Sequence, residues 1–343
     1  MNQKTLSDKP YFVTLFDKVY QLECLKKAVA PNPETLYIHV QSFKDLQIFS
    51  PFLPYIHGLE IKPDGFKAAE SLFRWQGNFT FCENNFDRLI NSPESTNHNF
   101  QFHFPFKDIA GIKLNLSNRA DHEKLYEVFE VYAQVISKYG LGPNITIHPP
   151  EIPDHHNPQQ IAAALHTANE FFIGLGKKIV QNNWPMLIGI ENQPDPFINN
   201  YPLDALGYRV EHFACLLKDT NEKIQLTIDS GHRNLSTEIT VTNLINFAKN
   251  TEKQIINFHF HENKGIVPAV TAAGGSCDGH ELAIPEHIHG FTNYLVRSVF
   301  ENIPLNLEIK TRNYSPIKLF QYISGLHQTL HYIYNEIKKQ QSL

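Results

Sequence analysis

The sequence has no CxxC pair. Its four cysteines, Cys24, Cys82, Cys215 and Cys277, lie far apart, which excludes a thiolate zinc site and a disulfide framework and leaves reduced thiols. No apolar run approaches the roughly 20 residues of a membrane span. The opening residues Met1-Asn2-Gln3-Lys4-Thr5-Leu6-Ser7-Asp8-Lys9-Pro10 lack the apolar stretch of a signal peptide. The expectation is a cytoplasmic protein that meets no membrane. Positive charge is not in excess: 30 Lys and Arg stand against 35 Asp and Glu, a net charge of −5. That balance argues against a strongly basic nucleic-acid footprint and leaves a local one open. Internal repeats and low-complexity tracts are missing too, and nothing points to a protein partner.

What is present is a long chain with a large apolar share. Its 343 residues are 42% hydrophobic and 19% charged, enough to bury a substantial core. After a leader over 1–33, expected to pack on or near the rest, residues 34–343 read as one domain. Short β-rich runs recur at 35–40, 58–62, 100–104, 144–148, 186–191, 224–229, 255–261 and 304–309. Helix-like stretches lie between them, clearest at 121–139, where apolar positions recur at three and four and Gly140 closes the run. Others fall at about 158–181, 203–218, 239–250, 287–300 and 315–338. Eight strands alternating with helices predict an α/β fold of parallel βαβ units closed into a (β/α)8 TIM barrel. A doubly wound open sheet is the alternative. It is opposed by the lack of GxGxxG after the first strand and of a phosphate-binding GKS/T.

In such a barrel the chemistry sits at the carboxyl ends of the strands. There the sequence places His103, His148, Glu191, Asp229 with His232 three residues on, His259 and Glu308; Asp278 and His280 follow in the loop after the seventh strand. One histidine at a strand end is ordinarily a hydrogen-bonded structural residue. A carboxylate ending an apolar strand is costly to bury without compensation, and three of them facing one mouth repel each other unless cations lie between. Imidazole and carboxylate suit zinc, manganese or iron.

The motifs His148-Pro149, Glu191-Asn192, Asp229-Ser230-Gly231-His232, His259-Phe260-His261-Glu262-Asn263-Lys264, Asp278-Gly279-His280 and Leu307-Glu308 resemble, in order and strand placement, those of the xylose isomerase-like TIM barrels, and within them the endonuclease IV branch (AP endonuclease family 2). The resemblance spans roughly residues 35–310. It implies up to three divalent ions, zinc first with manganese or iron as alternatives. His103, His148 and Glu191 would hold one; Glu191, Asp229, His259 and Glu308 a second; His232, Asp278 and His280 the third. It implies hydrolysis of a phosphodiester in abasic DNA, or of another phosphate ester, by metal-bound hydroxide, with Glu191, Asp229 and Glu308 as the catalytic carboxylates. A sugar or sugar-phosphate isomerase or epimerase is the alternative. There Glu191, Asp229, His259 and Glu308 hold a single ion, and Glu191 and Glu308 move protons on a small sugar. A binding protein with a vestigial site is the third reading, opposed by the complete ligand set. Arg74-Trp75 reads as a pair on an amphipathic helix rather than a DNA-penetrating loop. His155, His156, His287 and His289 read as loop and helix-start residues, and Lys264 and Lys310 as solvated lysines. His39 and Glu60 line the pocket or serve packing and hydrogen bonding.

Overall fold

Alternation governs every strand. In the computed structural model, which describes residues 35–66, 68–92, 98–105, 108–196, 205–235, 241–263, 265, 277–287, 290, 293–294, 297 and 302–341, eight parallel strands close a barrel. They are β1 (Leu36–Val40), β2 (Gly58–Ile61), β5 (Asn99–His103), β6 (Asn144–Ile147), β7 (Leu187–Glu191), β8 (Ile224–Asp229), β9 (Ile255–Phe260) and β10 (Leu305–Leu307). β10 pairs with β1, Leu36 opposite Leu305 and Ile38 opposite Leu307, which completes the ring. Successive side chains on a strand point to opposite faces. One set is apolar and buried: Ile38, Leu59, Phe102, Ile145, Ile188, Ile190, Leu226, Ile228, Phe258 and Leu305. The other set is polar and buried: His39, Glu60, Gln101, His103, Thr146, Glu191, Thr227, Asp229, Asn257, His259 and Asn306.

The polar set faces the lumen, since its members bond across it. Thr146 Oγ1 lies 3.2 Å from Thr227 Oγ1, Asn257 Nδ2 donates to Thr146 Oγ1 at 2.8 Å, and Gln101 Nε2 donates to Asn257 Oδ1 at 3.3 Å. Bulky branched residues dominate most TIM-barrel interiors. Here that role passes to a hydrogen-bonded polar layer, and the apolar set packs outward against the helices.

Those helices are α1 (Phe43–Phe49), α2 (Glu83–Ile90), α3 (His122–Tyr139), α4 (Pro158–Gln181), α5 (Val210–Leu216), α6 (Ser230–Arg233), α7 (Val241–Asn250) and α8 (Pro316–Gln341). α3 buries Leu125, Val128, Phe129, Tyr132, Val135 and Ile136 and stops at Gly140, whose φ of 64° is the left-handed C-cap that glycine favours. α4 begins with Asn157 accepting from the backbone N–H groups of Gln159 and Gln160, with Pro158 in its first turn.

The strand positions match the sequence expectation to within a residue or two, except that β10 is shorter than the 304–309 run. Two elements differ from it. Residues 73–81 form an antiparallel hairpin, β3 (Phe73–Gln76) and β4 (Asn78–Phe81), turning at Gly77 with φ 80°. Arg74 and Trp75 therefore lie on a strand, not a helix. Trp75 packs on Phe79, and its indole N–H donates to Ile109 O at 2.6 Å. Alternation of Phe73, Trp75, Phe79 and Phe81 onto the apolar cluster decides the strand. Among the described residues, the helix expected over 203–218 is confined to α5. The leader 1–33, Lys264, His289 and most of 287–300 lie outside the described residues. Among the described residues no helix is long and apolar enough to cross a membrane.

Candidate metal centre

All nine residues singled out from the sequence meet at one end of the barrel. Ligand-capable atoms of His103, His148 and Glu191 lie within 4.8 Å of one another, as do those of Glu191, Asp229, His259 and Glu308 and those of His232, Asp278 and His280. Glu191 belongs to two clusters. Its Oε2 is 2.9 Å from His148 Nε2 and 3.5 Å from His103 Nε2, and its Oε1 is 2.7 Å from His259 Nδ1. His259 Nδ1 also lies 2.9 Å from Glu308 Oε2 and 3.7 Å from Asp229 Oδ2. In the third cluster, Asp278 Oδ2 is 3.0 Å from His280 Nε2 and 3.6 Å from His232 Nε2.

Neighbouring main chain sets which ring nitrogen three of the histidines present. His103 Nδ1 donates to Phe104 O at 3.0 Å, His232 Nδ1 to Asn192 O at 2.8 Å, and His280 Nδ1 to Glu308 O at 3.1 Å. With the proton on Nδ1, each of these rings turns a bare Nε2 to its cluster, the arrangement that outer hydrogen bonds impose on metal-bound histidines.

The rest of each motif now has a mechanical reason. Asn192 clamps β8 to β7: its Oδ1 accepts from Asp229 N at 2.7 Å and its Nδ2 donates to Asp229 O at 2.9 Å. Asp229 caps α6, its Oδ1 accepting from His232 N at 2.7 Å. Asn263 accepts from the N–H groups of Gly279 and His280 and donates to Asp278 Oδ1 at 3.0 Å. His280 sits at φ 47°, a conformation uncommon outside glycine, and so stores strain at a site residue.

Electrostatics fit cations. Burial alone would raise the Glu191 carboxyl, but the imidazoles of His259 and His148 outweigh it and hold it well below the usual range. Asp278 follows the same pattern, with His280 and His232 outweighing burial. Burial lowers His148 to about 4, against the pull of Glu191, so its ring is neutral at pH 7, the form that ligates a metal. His103 Nε2 and Glu191 Oε2 lie buried 3.5 Å apart, and an ion held by both would satisfy their lone pairs. The donor set of imidazole and carboxylate is that of zinc, manganese or iron. The first and second clusters would share Glu191, and the third would be held by His232, Asp278 and His280.

The sequence reading missed His261. It belongs to the third cluster, with a ligand-capable atom within 4.8 Å of those of His232, Asp278 and His280, and its Nε2 lies 2.9 Å from Asp229 Oδ2. The signal was present: residues two apart on a strand share a face, so His261 faces the same way as His259. Its ring stacks on that of His280, centroids 4.2 Å apart and planes 22° apart. An imidazole lone pair lies in the ring plane, so an ion in the plane of His280 stands off that of His261. In this arrangement His261 serves as a donor to Asp229. Gly231 leaves room for it, since a Cβ there would lie 1.9 Å from His261 Cε1. Gly231→Ala is therefore expected to displace the ring and destabilise the fold by about 1–3 kcal/mol through overpacking, read as a lower melting temperature. An unchanged melting temperature would show that the ring moves freely.

His39 and Glu60 lie in the lumen, His39 Nδ1 bonding Glu60 Oε1 at 3.1 Å. Lys310 is not simply solvated: its Nζ donates to Asp278 O at 2.8 Å. His155 bonds Tyr208 OH, and His287 bonds Glu262.

No protein-family model matches this chain, and no curated protein matches it. Solved structures do. A D-tagatose 3-epimerase-like protein is 17% identical, with a TM-score of 0.57 over 88% of this chain and 98% of that one. A probable 3-DHS dehydratase from Bacillus anthracis is 15% identical, with a TM-score of 0.55 over 85% and 98%. A xylose isomerase domain protein from Alicyclobacillus acidocaldarius is 9% identical, with a TM-score of 0.54 over 89% and 99%. The fold is that of the xylose isomerase-like TIM barrels.

Proposed function

We infer that the chain is a divalent-metal-dependent phosphodiesterase of the endonuclease IV type, with zinc the first choice of metal and abasic DNA, or another phosphate ester, as substrate. The observation that carries this reading is the third cluster. His232, Asp278 and His280 stand beside the Glu191 pair of clusters, each with its ring nitrogen or carboxylate oriented by a separate hydrogen bond. A one-ion enzyme leaves much of this buried array unexplained. When bound, the ions supply Lewis acidity, lowering the pKa of a water and offsetting charge on a phosphate.

The chain's own residues do the positioning. Glu191 ties the first two clusters together. Glu308 serves the second cluster, its Oε2 2.9 Å from His259 Nδ1, and its main-chain oxygen holds the His280 ring of the third. Asn192 and Asn263 hold Asp229, His280 and Asp278 in place through the contacts given above.

One observation favours a second reading. Glu191 and Glu308 flank His259 Nδ1 from two strands, the arrangement that proton transfer beside a sugar carbonyl would use with one ion. Metal content after mild purification separates the two, about three ions per chain for the phosphodiesterase and one for an isomerase or epimerase. His280→Ala is expected to cost the phosphodiesterase one ion and most of its activity, whereas a one-ion isomerase keeps its metal. Incubation of the fully metallated protein with an abasic-site duplex tests the substrate, and an uncut duplex defeats the DNA assignment.

A further inference from the structure

One ligand breaks the pattern of the others. His103, His232 and His280 each spend Nδ1–H on a main-chain carbonyl and present Nε2. His259 presents Nδ1, which lies 2.7 Å from Glu191 Oε1 and 2.9 Å from Glu308 Oε2. Its Nε2 points down the lumen to Glu60, 3.1 Å from Oε1 and 3.2 Å from Oε2.

Glu60 is itself fixed from every side. It is fully buried. Oε1 takes His39 Nδ1 at 3.1 Å, and Oε2 takes Asn257 Nδ2 at 2.8 Å, Asn306 Nδ2 at 3.0 Å and Gln101 Nε2 at 3.3 Å. These donors come from β1, β9, β10 and β5, so the carboxylate cannot turn without breaking bonds to four strands. A carboxylate has only acceptor sites. Facing it, His259 Nε2 must carry the proton.

The geometry points to Glu60 as the positioning residue of the second metal cluster: from the lumen it fixes the His259 tautomer and ring so that Nδ1, and not Nε2, meets the ion. This rests on the metal part of the function proposed above and not on its substrate. It also gives the polar layer a purpose, since an apolar layer would leave His259 Nε2 buried without an acceptor.

The first test uses the unaltered protein. In the zinc-loaded chain with 15N-labelled histidine, long-range proton–nitrogen correlation is expected to show His259 protonated at Nε2 and zinc on Nδ1. Zinc on Nε2 with a proton on Nδ1 overturns the assignment. So does a chain that takes up no ion at this cluster. The second test is Glu60→Gln, which keeps the shape, beside Glu60→Leu, which removes the acceptor. Zinc affinity at the Glu191–Asp229–His259–Glu308 cluster, read by competition with a chelating dye, is expected to fall about 10–100-fold, with the His232–Asp278–His280 ion retained. A purely packing role would lower the melting temperature of the metal-free variants and leave zinc affinity unchanged, and that result sinks the proposal. A wild-type chain that binds zinc through His259 Nδ1 but cuts no phosphodiester defeats the phosphodiesterase reading and leaves Glu60 in its role.

Discussion

Glu191→Gln is expected to strip two of the three clusters at once and to slow turnover about 10³-fold. The glutamine keeps the shape of a side chain that is fully buried, so the barrel has no packing reason to change. It loses the charge and one oxygen ligand. Glu191 Oε2 serves His148 and His103, while Oε1 serves His259, so one substitution disturbs both clusters. Lewis-acid stabilisation is worth several kcal/mol, and each 1.36 kcal/mol is a factor of ten in rate, which sets the scale. Metal analysis should find about one ion per chain, held by His232, Asp278 and His280. A variant that keeps a full complement of metal, or that turns over at the wild-type rate, would remove Glu191 from the centre of the mechanism.

Chelation is expected to have the largest effect on stability. Glu191, Asp229, Asp278 and Glu308 are buried together at one mouth, and bound cations would offset their repulsion. An ion that binds only the folded chain and is present at a thousand times its Kd adds about 4 kcal/mol. In a large domain each kcal/mol moves the melting temperature by about 2 °C, so each ion removed should lower it by about 8 °C. Without ions, protonated His232, His259 and His280 would supply part of the counter-charge. Burial would lower His259, but Glu60, Glu191 and Glu308 outweigh it and raise the ring well above its usual range. Thermal unfolding with and without chelator, followed by back-titration with zinc, measures the difference. Coincident curves would mean that the ions add nothing to the fold.

The barrel was legible because its strands carry two signals at once. In β7, Ile188 and Ile190 alternate with Gly189 and Glu191, and in β8, Leu226 and Ile228 alternate with Thr227 and Asp229. Alternation marks the strand, and the terminal carboxylate marks the mouth. Seven of the nine candidate ligands could be named because each stands at or within three residues of a strand end, whereas Asp278 and His280, in the long loop after β9, rest on the resemblance of their motif. The hairpin at 73–81 was not seen, because Arg74 and Trp75 beside Phe73 suit a half-buried helix as well as a strand when no partner is in view. Pairing with residues 78–81 decides it. His261 was overlooked as a neighbour of the centre for a different reason. Its strand face was readable, but its place depends on how close β8 and β9 run and on the missing side chain at Gly231. The purpose of Glu60 was beyond one-dimensional reading, because its partners come from four separate strands.

The lumen network also bears on how the chain reaches its fold. Glu60 takes hydrogen bonds from Asn306 and His259, 246 and 199 residues along the chain. Until β9 and β10 are in place, any partial barrel that closes over Glu60 traps a carboxylate short of its donors. Non-local contacts of this kind slow folding, since loop-closure entropy is lost before the contacts form. The barrel should therefore assemble late and as one cooperative unit. A fragment ending after β8 would lack Asn257, His259 and Asn306 and should fail to hold a compact half-barrel. The same bonds that aim one imidazole at the mouth thus make ring closure the committing event of folding.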